Sequence, residues 1–327
     1  MQEVDQVAFH TSYCQWYPKF HKDSLTSEII NLSEEFCAYL ESDGCFIPKE
    51  ALKDEDDFQF EWSDGTVGQA QSEDEDEEQP SFPELSEQIQ GVLDDYKSIV
   101  IKLNWNTPSD AIWVSYNKTL KCSNLEDVYL LLKNSNNILK NLDMIKNKNN
   151  KYSSLKPCLI IKKWKDIDPA TEFRCYVVNK KLVGICQRDT SQYHEYIEKE
   201  KYDITQDIKS LFEEKIMDKF ELNTYSFDVI RYKKDRVRIM DFGPLNESYT
   251  KNMLFTEEEL RSLNENLPEF RFIAEHMGIQ PKNSNHYCIP KDIDDFFSKN
   301  KNVTVMEAIV EEVTKMRMEP ETSDLDE

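Results

Sequence analysis

Glycine is scarce in this chain, 7 in 327 residues. Folds that cradle phosphates on glycine-rich turns need glycine at fixed spacing, and neither GxGxxG nor GxxxxGK[ST] occurs. The Rossmann and P-loop designs are therefore disfavoured. No apolar run approaches the length of a membrane span, and the first thirty residues are polar. The eight cysteines (14, 37, 45, 122, 158, 175, 186 and 288) include no CxxC pair. Cys175 in FRCYVV and Cys186 in LVGICQ sit in apolar runs, where cysteine acts as a small core hydrophobe. Zinc is disfavoured, and the chain reads as soluble, reduced and cytoplasmic. The five histidines form no HxH, HxxxH or HExxH string, and no GxSxG elbow appears.

Positive charge is also short, with 40 basic residues against 63 acidic ones and a net charge of −23. Such a surface repels phosphate backbones, so no direct nucleic acid partner is expected, and no membrane either. The charge is unevenly placed. Asp54 to Glu78 holds twelve acids and no base, and Glu319 to Glu327 holds five more. Without these seventeen acids the net charge is −6, ordinary for a globular body. Residues 54–80 therefore read as an acidic disordered linker and 318–327 as an acidic tail. Hydrophobic residues are 39% of the chain, but 17 Phe, 15 Tyr and 5 Trp suffice to fill a core.

The pattern predicts a helix within 25–53 (Ile29, Ile30, Leu32, Phe36, Leu40) and another from Phe82-Pro83 to about Lys97. Strands are expected at Ser98–Leu103 and Ala111–Val114, with Ser123 capping a helix through Glu126. From Cys158 strands dominate: 158–164, 172–178, 182–187, 225–232 and 237–242, broken by a helix at about 204–220. This order is α+β with antiparallel hairpins. The division it suggests is a helical part of a first lobe (1–53), the linker, the rest of that lobe (81–157), a second lobe with C-terminal helices (158–317), and the tail.

Two aspartates carry the chemistry. Asp228 in SFDVI and Asp241 in RIMDF lie inside otherwise apolar strands. A two-residue turn at Lys234-Asp235 would pair Lys233 with Arg236 and set the two carboxylates opposite each other, roughly 5 Å apart. Like charges at that distance need a proton or a cation between them, and oxygen donors of this kind suit Mg²⁺ held together with phosphates. The blander alternative is an ordinary pairing of one Asp with Lys or Arg. Lys102, Lys162, Lys163, Arg174 and Arg188 all stand inside or at the ends of strands, where long cations reach an anion in a cleft. The polar loop from Lys102 to Ala111 is of a kind that wraps a ligand, or else an ordinary turn with Trp105 over the core.

The strings KLNWNTPSDA (102–111), LIIKKW (159–164), EFRCYVV (172–178) and GICQRDTSQY (184–193) resemble the cell division cycle protein 123 family. SFDVIR, IMDFGP, FPEL, LPEF and CIPKDIDDF extend the likeness over nearly the whole chain. These are ATP-grasp chaperones of translation initiation factor 2. The resemblance implies two α+β lobes holding ATP and Mg²⁺ between antiparallel sheets, with the factor's gamma subunit as partner. It places Lys102, Asn104, Ser109, Asp110 and Ala111 against ATP from the first lobe. Lys162, Lys163 and Trp164 fall on the adenine side, Glu172, Arg174 and Arg188 at ribose or phosphates, and Asp228 and Asp241 on Mg²⁺.

Three positions depart from the family pattern. Gly243 replaces the asparagine of DFNP or DINP and has no side chain to ligate, leaving Asn246 or water to complete the shell. Ser109 stands for the arginine of PRDA, and Lys162 for that of LR[KQ]W, which removes a charge or a bidentate fork. A weaker nucleotide affinity than the family norm, or an altered Mg²⁺ dependence, is implied. The competing functions are an ATP-grasp ligase or kinase and an acidic scaffold with a decayed cleft. A chaperone that binds ATP without ligase chemistry is the leading expectation.

Overall fold

The computed structural model describes residues 4–44, 46–52, 79–146, 155–245, 254–263 and 267–274. All of them belong to one body, which spans Met1–Asn285. Most of the acidic linker, Asn246, the helices expected toward the C-terminus and the tail lie outside the described residues.

Two sheets organise the body. The first has three antiparallel strands, β1 (Ser27–Asn31), β2 (Ile99–Lys102) and β3 (Cys158–Lys163), in the order β1-β3-β2. The second contains β4 (Glu172–Val178), β5 (Lys181–Gln187), β6 (Tyr225–Lys233), β7 (Arg236–Gly243) and β8 (Glu269–Arg271), in the order β7-β6-β4-β5-β8. Its pairings are antiparallel except β5 with β8, which is parallel, so the second sheet is mixed. This is the expected α+β plan of two lobes facing across a cleft.

The unbroken apolar run of β3 explains how the lobes join. Leu159 and Ile161 enter the first lobe's core, while Cys158 and Ile160 enter the second's. A strand buried on both faces reads as a continuous hydrophobic run rather than an alternating one. β3, which begins at the expected boundary of residue 158, is the central strand of the first sheet and is shared by both cores.

Around the first sheet pack α3 (Glu34–Glu41), α4 (Pro83–Tyr96), α5 (Leu125–Lys133) and α6 (Asn136–Lys146), through Phe36, Leu40, Ile89, Leu93, Val128, Leu131, Leu132 and Ile138. On the second sheet lie α2 (Tyr13–Phe20), preceded by α1 (Val4–Thr11), and α7 (Glu195–Leu211), which runs into a π turn at Phe212–Ile216. Trp16 and Phe20 meet Phe242, and Ile204, Ile208 and Phe212 cover the α7 side. A small third cluster joins α8 (Glu257–Ser262) to Tyr176 and Val183 through Phe255 and Leu260. Arg231 of β6 is fully buried against α7, donating to Asp207 and Glu200 at 2.6 Å each.

Four local expectations change. The stretch 25–53 is β1 followed by α3, not one helix, because Ser33 caps a new start by accepting from Phe36 N at 3.1 Å. Ala111–Val114 forms turns after a 3₁₀ segment at Ser109–Ala111, with Trp113 half exposed. The cap of α5 is Asn124, accepting from Asp127 N at 2.8 Å, one residue beyond Ser123. Helix α7 starts at Glu195, a full two turns before the expected residue 204.

Candidate functional site

The two sheets enclose a cleft of about 960 Å³. Its chemistry follows from strand register. Side chains directly opposite each other on neighbouring strands share a face, and here Arg174, Asp228 and Asp241 form one row across β4, β6 and β7. The aspartates face each other as the turn at Lys234-Asp235 requires, but two bulges intervene. Tyr232 is extra on β6 and Met240 is extra on β7, and the two displacements cancel. The Met240 bulge also gives the first lobe a handhold: Lys162 Nζ donates to the Met240 carbonyl at 3.1 Å.

Cations meet both carboxylates. Arg174 binds Asp228 as a fork, Nε to Oδ1 at 2.7 Å and Nη2 to Oδ2 at 2.8 Å, and Arg188 Nε adds a bond to Oδ2 at 3.0 Å. Burial alone would raise the Asp228 carboxyl, but the charges and hydrogen bonds of the two arginines outweigh it and hold it at about 2. Arg188 also pairs with Glu172 at 2.5 Å. Asp241 is more open, its side chain 28% exposed, with Oδ2 bound by Lys102 and Oδ1 accepting from Phe242 N at 3.1 Å. Among the described residues the repulsion between the two aspartates is thus relieved by Arg and Lys pairing.

From the other lobe come Lys102 on β2 and Lys162 and Lys163 on β3. The Nζ atoms of Lys102 and Lys162 lie 5.1 and 4.5 Å from the ring centre of Tyr13. Burial, with the charges of Lys102 and Arg188, pushes Lys162 down to about 7 against the pull of Asp241. Leu25, Val100, Leu120, Ile167 and Trp164 add apolar lining to the cleft alongside these cations. A flat apolar group joined to a polyanion suits such a mixed lining.

Of the residues expected at the site, Lys102, Ser109, Lys162, Lys163, Trp164, Glu172, Arg174, Arg188, Asp228 and Asp241 line the cleft. Three do not. Asn104 commits its amide to Ser12 Oγ, the Lys156 carbonyl and Cys158 N, at 3.1, 2.9 and 2.9 Å. Asp110 accepts from Ser135 Oγ at 2.6 Å and Asn137 N at 3.1 Å, anchoring the start of α6. Ala111 is in the first lobe's core. They fix the loop that carries Ser109.

No group of three or more His, Cys, Asp or Glu that would by itself hold a metal occurs among the described residues. The donor set still fits a hard cation shared with a ligand: two facing carboxylates, one open to the cleft, beside Gly243, which contributes no oxygen from a side chain. An asparagine at 243 would meet Ser226, whose Oγ lies 3.1 Å from the Cβ position.

Sequence reasoning missed Tyr13 and the Met240 carbonyl. Tyr13, Trp16 and Phe20 recur at helical spacing, which was the available signal for α2. Nothing in the sequence marks a bulge whose compensating partner lies eight residues away.

Comparison with other proteins agrees with this architecture. The sequence profile of the D123 family matches residues 16–297. The translation initiation factor eIF2 assembly protein of Xenopus laevis is 32% identical over 320 residues, covering 89% of this chain and 91% of its own. Cell division cycle protein 123 of Yarrowia lipolytica is 35% identical over 242 residues, covering 72% of this chain and 63% of its own. The structure of Cdc123 from Schizosaccharomyces pombe superposes with a TM-score of 0.67 at 26% identity, over 84% of this chain and 99% of that one. With the profile matched over most of its length, and a relative 32% identical across nine-tenths of it, the chain belongs to the D123 family.

Proposed function

We propose that this protein binds ATP with Mg²⁺ in the cleft and, so loaded, acts in the cytoplasm as an assembly chaperone of translation initiation factor eIF2. It would receive the gamma subunit and favour its joining with the alpha and beta subunits, supporting translation initiation and with it cell-cycle progression. The observation that carries this reading is the facing pair Asp228 and Asp241, set among cations contributed by both sheets. The role in assembly is supported by the Xenopus laevis relative, whose name is translation initiation factor eIF2 assembly protein.

Each wall of the cleft has a part. Lys102, Arg174 and Arg188 receive phosphate oxygens, and Lys162, Lys163 and Trp164, with the apolar lining, take the adenine side. Asp228 and Asp241 are the residues that would hold Mg²⁺, which when bound shields the charge of the phosphate chain. Because the ligands of ATP come from two sheets, nucleotide stabilises the joined arrangement by mass action, and the surface that receives the gamma subunit needs no turnover to form.

Calorimetry on the wild type and Asp241→Ala tests the cleft, and co-purification with the gamma subunit, with and without ATP, tests the partner. The expected result is Mg²⁺-dependent ATP binding that weakens about 30-fold or more in the variant, the scale for truncating one member of a buried charge pair. Gamma subunit capture should be stronger with ATP. Failure of the folded wild type to bind Mg²⁺ and ATP overturns the cleft assignment. Steady ATP consumption in the presence of partner would move the protein to the ligase or kinase class.

A further inference from the structure

The ammonium of Lys102 and a metal ion seek the same carboxylate. Lys102 is 5% exposed and donates to Asp241 Oδ2, the anion it meets among the described residues. Beside Asp241 in the same row, Asp228 accepts three bonds from Arg174 and Arg188, with its side chain 9% exposed. Asp241 is the more exchangeable of the two carboxylates, being 28% exposed and, among the described residues, held by one cation.

We infer that Lys102 is a built-in competitor of the metal at Asp241, so that metal and nucleotide load as a coupled pair. The inference rests on the reading of the cleft as a metal–nucleotide site. A metal taking Asp241 alone leaves a buried ammonium without a counter-ion, and breaking one side of a buried pair is costly. A nucleotide taking Lys102 alone leaves Asp241 uncompensated opposite Asp228, where like charges repel. When both arrive, the ammonium passes to a phosphate oxygen and the carboxylate to the metal, and every charge keeps a partner. Each ligand therefore removes the penalty on the other, and linkage makes the effect reciprocal. Lys102 is a switch on loading: it makes the cleft poor at binding either metal-free nucleotide or nucleotide-free metal.

The test uses the full chain and two probes. Mn²⁺ binding without nucleotide is followed by the EPR signal of the free ion, and ATP binding is measured calorimetrically in EDTA and in Mg²⁺. In the wild type, ATP should bind about tenfold or more weakly in EDTA than in Mg²⁺, within the usual range of coupling between sites. Mn²⁺ should likewise bind more weakly without ATP than with it. Lys102→Met should bind Mn²⁺ without nucleotide about tenfold more tightly than the wild type, because its competitor is gone. Asp241→Asn should bind ATP in EDTA more tightly than the wild type does, because Lys102 is no longer held by a carboxylate. Unchanged Mn²⁺ affinity in a folded Lys102→Met overturns the competition, even where the wild type binds Mg²⁺ and ATP normally. Should Lys102→Met not fold, weaker ATP binding in EDTA by Asp241→Asn overturns it instead. If the wild type binds no ATP under any condition, the metal–nucleotide reading falls on its own, and the Mn²⁺ arm still decides whether Lys102 competes.

Discussion

At the scale of single residues, charge in this cleft is arranged by neighbours rather than by solvent. Asp228 shows the sign of the effect. Its carboxyl titrates at about 2 in the folded chain, below its ordinary 3.8, so the unfolded chain binds more protons between those values. Stability therefore rises with pH across that window; the contribution is fully present above about pH 4 and lost as pH falls through 2. Its size is about 2 kcal/mol, since a tenfold change in proton affinity corresponds to roughly 1.4 kcal/mol. Urea unfolding of Asp228→Asn between pH 2 and 5 should show a flatter dependence than the wild type. At pH 7 the same variant should be less stable by about 1–3 kcal/mol, because Arg174 loses its forked anion while the more exposed Arg188 keeps Glu172. An equally steep acid limb in the variant would assign the effect to other carboxylates. Lys162 is the converse case, a cation kept near neutrality by burial and by two other cations.

At the scale of elements, the row of site residues depends on how β6 is braced from behind. One face of β6 presents Asp228 to the cleft, while Arg231, three residues on and beyond a register shift, is fully buried between Asp207 and Glu200 of α7. Arg231→Ala is expected to destabilise the protein by about 3–5 kcal/mol, since Asp207 is left buried and unpaired. The paired replacement Arg231→Met with Asp207→Leu should cost much less, because removing both charges leaves no orphan. Denaturant midpoints of the single and double variants check this, and equal losses would contradict it. The bulges at Tyr232 and Met240 are the same kind of device. They preserve the facing of Asp228 and Asp241 at the end of the hairpin while turning one carbonyl toward Lys162.

For the whole molecule, the imbalance of charge lies in segments that carry seventeen acids, leaving a body close to neutral. Such segments act on encounter more than on the bound state, so they set the on-rate toward a partner with a basic patch. Deleting Glu319–Glu327 should slow association with the proposed partner, the gamma subunit, several-fold at low salt and hardly at all at about 0.5 M salt, where screening acts within about 4 Å. Stopped-flow association across a salt series measures this, and a loss independent of salt would place a specific contact in the tail instead.

Much of the fold was legible locally. Five strands from Cys158 onward, the α4 helix and the hairpin turn at Lys234-Asp235 follow from alternation, a proline start and turn residues, because these are short-range preferences. The facing of Asp228 and Asp241 was legible too, because the two bulges between the turn and the pair cancel and restore the register the turn sets. What the sequence could not settle was which side of each strand meets which partner. The stretch LII in β3 says that both faces are buried, but not that two different cores bury them. Asn104, Asp110 and Ala111 stand in a ligand-like loop, yet their contacts turn inward, because buried amides and carboxylates are claimed by whichever backbone groups lie unpaired nearby. The pairing of each carboxylate with its cations is likewise a tertiary fact. Lys102 and Asp241 are 139 residues apart, and only the packing of one sheet against the other brings the ammonium to the carboxylate.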